Sequence, residues 1–82
     1  MQHIAVKLRF RRGATIELTY SDGEKRRYDM SQLFDAYPQM WDLTNRRFFK
    51  SGILDPFGYW VIWDGDIDIS SDEVYNNGEI VK

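Results

Sequence analysis

The stretch Ile4-Ala5-Val6-Lys7-Leu8-Arg9-Phe10, with the two that follow it, Thr15 to Tyr20 and Lys25 to Met30, decides the fold class of this 82-residue chain. In the first, apolar side chains occupy the even positions, and Lys7 and Arg9 stand at odd ones. That is the period-two alternation of a strand with one buried face. Ile16, Leu18 and Tyr20 repeat it, and Tyr28 and Met30 repeat it again, with Lys25, Arg27 and Asp29 at the odd positions. Residues directly opposite in an antiparallel pair share a face, so the turns must join even to even. A three-residue loop Arg11-Arg12-Gly13 does so, pairing Phe10 with Ala14, Leu8 with Ile16 and Val6 with Leu18. A two-residue Asp22-Gly23 turn would put Arg27 inward beside Leu18. A three-residue loop Ser21-Asp22-Gly23 instead sets Ile16 opposite Tyr28, with Gly23 in the left-handed position that closes such a loop. It also aligns Lys7, Glu17 and Arg27 on the outer face and turns Arg26 inward near the sheet end, where it must snorkel or pair. The expectation is a three-stranded meander.

Working outward, the period changes. Ser31 can cap a short helix whose apolar positions are Leu33, Phe34, Tyr37, Met40 and Trp41, interrupted or restarted by Pro38. Arg46-Arg47-Phe48-Phe49 reads as the lead into an extended run ending at Ile53 and Leu54, before the turn Asp55-Pro56-Phe57-Gly58. Tyr59-Trp60-Val61-Ile62-Trp63 is apolar on both faces, which suits a central strand covered on two sides or covered by a partner. Alternation returns in Asp64 to Ile69, and a helical turn follows over Ser71 to Tyr75, capped by Ser70 or Ser71 and ended at Asn77-Gly78. The fold class expected is α+β: an antiparallel sheet with short helices around residues 31–44 and 71–75, in one domain over 1–82.

Composition bounds the rest. A chain this short buries only about 60–65% of its unfolded surface, and it has no cysteine to staple it. Thirteen aromatic side chains must supply the core. No apolar run approaches a membrane span and no signal-like leader is evident, so a cytoplasmic protein is expected. The net charge of −2 conceals an asymmetry. Residues 1–50 carry ten Lys/Arg against six Asp/Glu, and residues 51–82 carry one against seven.

Over nearly its whole length the chain resembles domain-of-unknown-function family 2442, a group of small bacterial proteins. The residues that carry the likeness are Asp22-Gly23, Asp29 before Met30, Trp63, Asp68-Ile69, Asp72 and Val74-Tyr75. The family usually has Gly where this chain has Asp66, and Pro where it has Ser71. The resemblance implies a compact α+β fold of antiparallel strands. Its members occur alone, fused to helix-turn-helix domains, or encoded beside another small protein in toxin–antitoxin-like pairs. That association implies regulation or partner binding and names no activity.

Candidate chemistry is sparse. Asp64, Asp66 and Asp68 suggest a calcium loop, but its sixth and twelfth positions would hold Ile69 and Tyr75 in place of Gly and Glu. In an extended segment the three would be solvated acids on one face. His3 is the only histidine and has no evident catalytic partner. No catalytic residue, metal site or cofactor is assigned. The pairs Arg11-Arg12, Arg26-Arg27 and Arg46-Arg47 suit carboxylate or phosphate recognition, or serve as solubilising charge. Arg11, Arg12, Arg27, Arg46 and Arg47, with Trp60 and Ile62, are the candidate partner-binding residues. Trp60 and Ile62 face away from Val61 and Trp63, so either a C-terminal helix covers them or another chain does. The expectation is a non-catalytic interaction or regulatory module, with a protein partner or a second copy. The alternative is a nucleic-acid binder that uses the basic half, which a pI near 5.2 disfavours.

Overall fold

A computed structural model describes residues 2–82. The meander forms from β1 (Ala5–Phe10), β2 (Thr15–Tyr20) and β3 (Lys25–Asp29), all antiparallel. Its second hairpin has the expected register. Ile16 lies opposite Tyr28 and Glu17 opposite Arg27, while Gly23 takes φ +89° at the end of a three-residue loop. Asp22 braces that loop by accepting the Glu24 N–H at 2.9 Å.

The first hairpin is shifted by two residues from the expected register. Phe10 pairs with Ile16 and Leu8 with Leu18. The loop is Arg12-Gly13-Ala14, closed by the Arg11 N–H on the Thr15 carbonyl at 2.8 Å, with Gly13 in its middle at φ +64°. A slip of two leaves every side chain on its original face, so hydrophobic alternation cannot detect it. The outer row therefore reads Arg9, Glu17, Arg27, and Lys7 lies opposite Thr19. A bulge at Val6 further inverts the start of β1. Ala5 is buried, and Val6 is exposed instead of facing the core.

Two 3₁₀ turns follow, Met30–Leu33 and Pro38–Thr44. The first is capped by Asp29 rather than Ser31: the Asp29 carboxylate accepts both the Ser31 N–H and its hydroxyl, at 2.9 and 2.7 Å. Pro38 starts the second, where a missing N–H costs nothing. The segment expected to lead into an extended run is a helical turn, α1 (Arg46–Phe49), whose start the Asn45 side chain caps by accepting the Phe48 N–H at 3.1 Å, and the extended run is confined to its expected end at Ile53 and Leu54.

The next three strands do not extend the meander. β4 (Ile53–Leu54), β5 (Trp60–Trp63) and β6 (Ile67–Ser70) make a second sheet with β5 in the middle. The β5–β6 turn is Asp64-Gly65-Asp66, with Gly65 at φ +78° and Asp66 at +63°. The three acids are thus not aligned on one extended face, and only Asp68 lies in a strand. Ser70 caps α2 (Ser71–Asn77) by accepting the Glu73 N–H at 3.0 Å. The unforeseen β7 (Glu79–Ile80) returns to pair with β3, making four strands in the first sheet.

One buried cluster joins the two sheets: Ile16, Leu18, Tyr20 and Tyr28 from the first, Val61, Trp63, Ile67 and Ile69 from the second, with Phe49 and Val74 between. A main-chain seam binds the sheets as well, where the Ala5 N–H donates to the Gly58 carbonyl at 2.9 Å.

Candidate interaction surface

Alternation along β5 sends Val61 and Trp63 into the core, 0% and 4% exposed, and leaves Trp60 and Ile62 on the opposite face at 45% and 39%. Ile53 stands beside Ile62 across the β4–β5 pair and is exposed too. On the other flank Asp68 lies opposite Ile62 and Ser70 opposite Trp60. The helix that could have covered Trp60 is engaged elsewhere. Val74 of α2 is fully buried, and Tyr75 stacks on His3 with ring centroids 3.6 Å apart. The result is an apolar sheet face open to solvent.

Asp55 fixes the approach to that face. Its carboxylate accepts main-chain N–H groups from Phe57 at 2.6 Å, Tyr59 at 2.8 Å and Trp60. Desolvation pushes its pKa up, but these donors outweigh it and hold the carboxyl below its ordinary value. Trp60 also borders a groove of about 410 Å³ along the outer edge of β6, shared with Tyr37, Met40, Asp66, Asp68 and Glu73.

The arginine pairs do not gather into one patch. Arg26 turns inward as expected and is buried, with Nη1 on Glu24 at 2.9 Å, Nε on the Tyr75 carbonyl at 3.3 Å and its guanidinium 4.2 Å from the Tyr75 ring. Arg27 bonds Glu17 at 2.8 Å. That hydrogen bond depresses the Glu17 pKa, outweighing the opposing effect of burial. Arg46 alone reaches the first hairpin loop, where Nη1 donates to the Arg11 and Gly13 carbonyls at 2.7 Å each. With Arg12 it flanks a second groove of about 710 Å³, floored by Phe34 and Leu43. Arg47 is exposed on α1. Trp60 and Ile62 are on the other sheet from the Arg11–Arg12 hairpin, and the grooves beside Trp60 and beside Arg12 share no lining residue.

Most of the residues that carry the family likeness have structural work. Asp72 accepts the His3 N–H at 2.7 Å, and Ser71 donates its hydroxyl to the His3 carbonyl at 2.6 Å. Tyr75 stacks on His3, meets Tyr20 edge-on and reaches Asp22 at 3.4 Å. Tyr20 in turn donates to the Ser71 carbonyl at 2.8 Å, and burial raises its pKa far above the usual phenol range. His3 is thus part of the latch that ties the N-terminal segment to α2, a role its isolation in the sequence did not suggest. Trp63 donates Nε1–H to the Phe49 carbonyl at 2.7 Å, and its indole lies where a side chain at Gly52 would have to go. Asp68 differs from these: its side chain bonds to nothing among the described residues. The family's usual glycine at the Asp66 position suits its positive φ.

The family model for proteins of unknown function named DUF2442 matches residues 5–79. The chain belongs to that family. No curated protein and no solved structure matches it.

Proposed function

We propose that this DUF2442 protein is a small non-catalytic interaction module, the regulatory or antitoxin-like member of a two-protein system, and that it docks its partner through the Trp60 face. The observation that carries the reading is the open apolar surface made by Ile53, Trp60 and Ile62. In so small a domain, exposed aromatic area on a regular strand has a cost in solubility that a binding role offsets. A specific interface buries roughly 800 Å² per side around an aromatic anchor, and Trp60 has the position and chemistry of that anchor. The arginines favour this reading over nucleic-acid binding. Arg26, Arg27 and Arg46 are already bonded within the fold, which leaves a discontinuous basic surface for a phosphate backbone.

The test is mass by sedimentation velocity, alone and with the product of the adjacent gene, for wild type and Trp60→Ala. Complex formation by wild type and its loss in a folded Trp60→Ala variant supports the reading. A mass unchanged by the neighbour's product, together with retention on heparin at physiological salt, favours nucleic acid instead.

A further inference from the structure

The open face does not end at Trp60. It continues around the β6 edge into the groove of about 410 Å³, where Trp60 and Tyr37 supply aromatic walls and Met40 lies below. Among the described residues β6 pairs with β5 alone, so its outer edge has no strand partner there. Main-chain directions there follow from the bond between the Ser71 N–H and the Tyr59 carbonyl at 2.8 Å. In an antiparallel ladder, bonded and non-bonded pairs alternate. Ser71 opposite Tyr59 thus makes Ile69 opposite Val61 a bonded pair as well, and Asp68 opposite Ile62 a non-bonded one. The Asp68 N–H and C=O therefore point out of the sheet along the groove.

Charge selects the occupant. Among the described residues three carboxylates line this groove, Asp66, Asp68 and Glu73, and no Lys, Arg or His does. Glu73 is engaged by the Tyr28 hydroxyl at 3.1 Å and the Asn77 amide at 2.9 Å. Asp66 and Asp68 have no hydrogen bond or ion pair among the described residues. A second copy docked face to face would bring two acidic grooves into one interface with no groove cation to meet them, which like-charge repulsion opposes. A copy docked by its basic hairpin would leave both unlike surfaces free at the ends and propagate rather than close.

We infer that the groove along β6 receives an extended, cationic segment of a different protein, with Lys or Arg side chains meeting Asp66 and Asp68 and an apolar side chain laid on Trp60. This rests on the interaction-module reading and specifies its partner. Asp68 offers the incoming backbone one N–H and one C=O, the start of strand addition. Tyr37, on the other wall, receives the aliphatic stems of the cations whose heads meet Asp66 and Asp68.

The test uses three capped hexapeptides, Leu-Ser-X-Ser-Leu-Ser with X as Lys, Glu or Ser (the Leu-Lys, Leu-Glu and Leu-Ser peptides), so that Leu and X fall on one face of an added strand. Each is titrated into the ¹⁵N-labelled protein at low and physiological salt. The Leu-Lys peptide is expected to shift the Trp60 indole and the Asp68 amide while leaving the Trp63 indole in place, and to weaken with salt. Asp66→Asn and Asp68→Asn should each weaken it by roughly two- to fivefold, the range of an exposed charge pair. Asp42→Asn, outside the groove, should not. Equal binding of the Leu-Glu peptide, or binding indifferent to both Asn variants, overturns the charge assignment while leaving the Trp60 docking reading to its own mass measurement. Shifts centred on Arg12 and Arg46, no shift at all, or Trp60-dependent self-association overturns the inference.

Discussion

Alanine at Gly58 strikes the seam that holds the two sheets together. Gly58 has φ +79°, and a Cβ there would overlap the Ala5 carbonyl oxygen while pressing on the Ala5 nitrogen and the Ile4 side chain. The obstructing atoms are mostly backbone in β1, so rotamer change cannot relieve them. The left-handed conformation costs a non-glycine residue about 1–2 kcal/mol, offset by about 0.4–1 kcal/mol from the stiffer unfolded chain. Overpacking adds about 1–3 kcal/mol, and loss of the Ala5–Gly58 hydrogen bond about 0.5–1.5 kcal/mol. The net expectation is about 1.5–6 kcal/mol, a large part of the roughly 4–12 kcal/mol a chain of this size possesses. Gly23→Ala is the matched control, with φ +89° and nothing within 4 Å of the added carbon. It should cost only the strain less the entropy gain, at most about 1.6 kcal/mol. Urea unfolding of both variants reads the difference, and in a thermal melt each kcal/mol moves Tm by roughly 4–8 °C. If Gly58→Ala were no worse than Gly23→Ala, the Ala5–Gly58 seam would not exist as described.

Asp66→Gly should stabilise by a few tenths to about 1 kcal/mol, because it removes positive-φ strain at the β5–β6 turn; a clear loss in a thermal melt would show that the Asp66 side chain holds the turn. Glu17 has a depressed pKa, so its contribution is complete above the unfolded value near 4.5 and is lost as pH falls through the lower folded value. Melting temperature measured from pH 6 to pH 2 should thus fall more steeply in wild type than in Glu17→Gln, and parallel curves would refute the Glu17–Arg27 assignment. Millimolar calcium should leave Tm unchanged, since no group of metal-capable side chains converges among the described residues. A calcium-dependent rise abolished by Asp66→Asn would contradict this.

The meander was legible because two independent signals, alternation and Gly23 in a three-residue loop, had to agree. Where only one signal existed, reading failed in a definite way. The first hairpin slipped by two because a shift of two preserves the faces, and Gly13 serves equally well in the middle of a loop or at its end. Val6 was misplaced because a bulge leaves no mark in hydrophobicity. Arg46 to Phe49 reads as the lead into a strand, too short to show a helical period, and the deciding residue is the Asn45 cap just before it. β7 has only Glu79 and Ile80 in the ladder, too few to show a period. For the surface, a count of faces along Tyr59 to Trp63 was enough to isolate Trp60 and Ile62. Tyr37 and Glu73 were not foreseen beside Trp60, because long-range packing alone brings residues 37 and 73 to the β6 edge.

On the function proposed above, the Trp60 face is covered by another protein. The most direct measurement is the ¹⁵N–¹H spectrum of the three tryptophan indoles, with and without the adjacent gene's product. Trp63 is buried with its Nε1–H on the Phe49 carbonyl, and Trp41 is exposed beside Phe34 on a different element, so each serves as an internal reference. The account predicts that the Trp60 indole signal shifts and gains protection from solvent exchange, together with the Ile62 and Asp68 amides, while Trp63 stays fixed. A complex that leaves Trp60 unchanged and instead moves the amides of Arg12, Gly13 and Arg46 would contradict it.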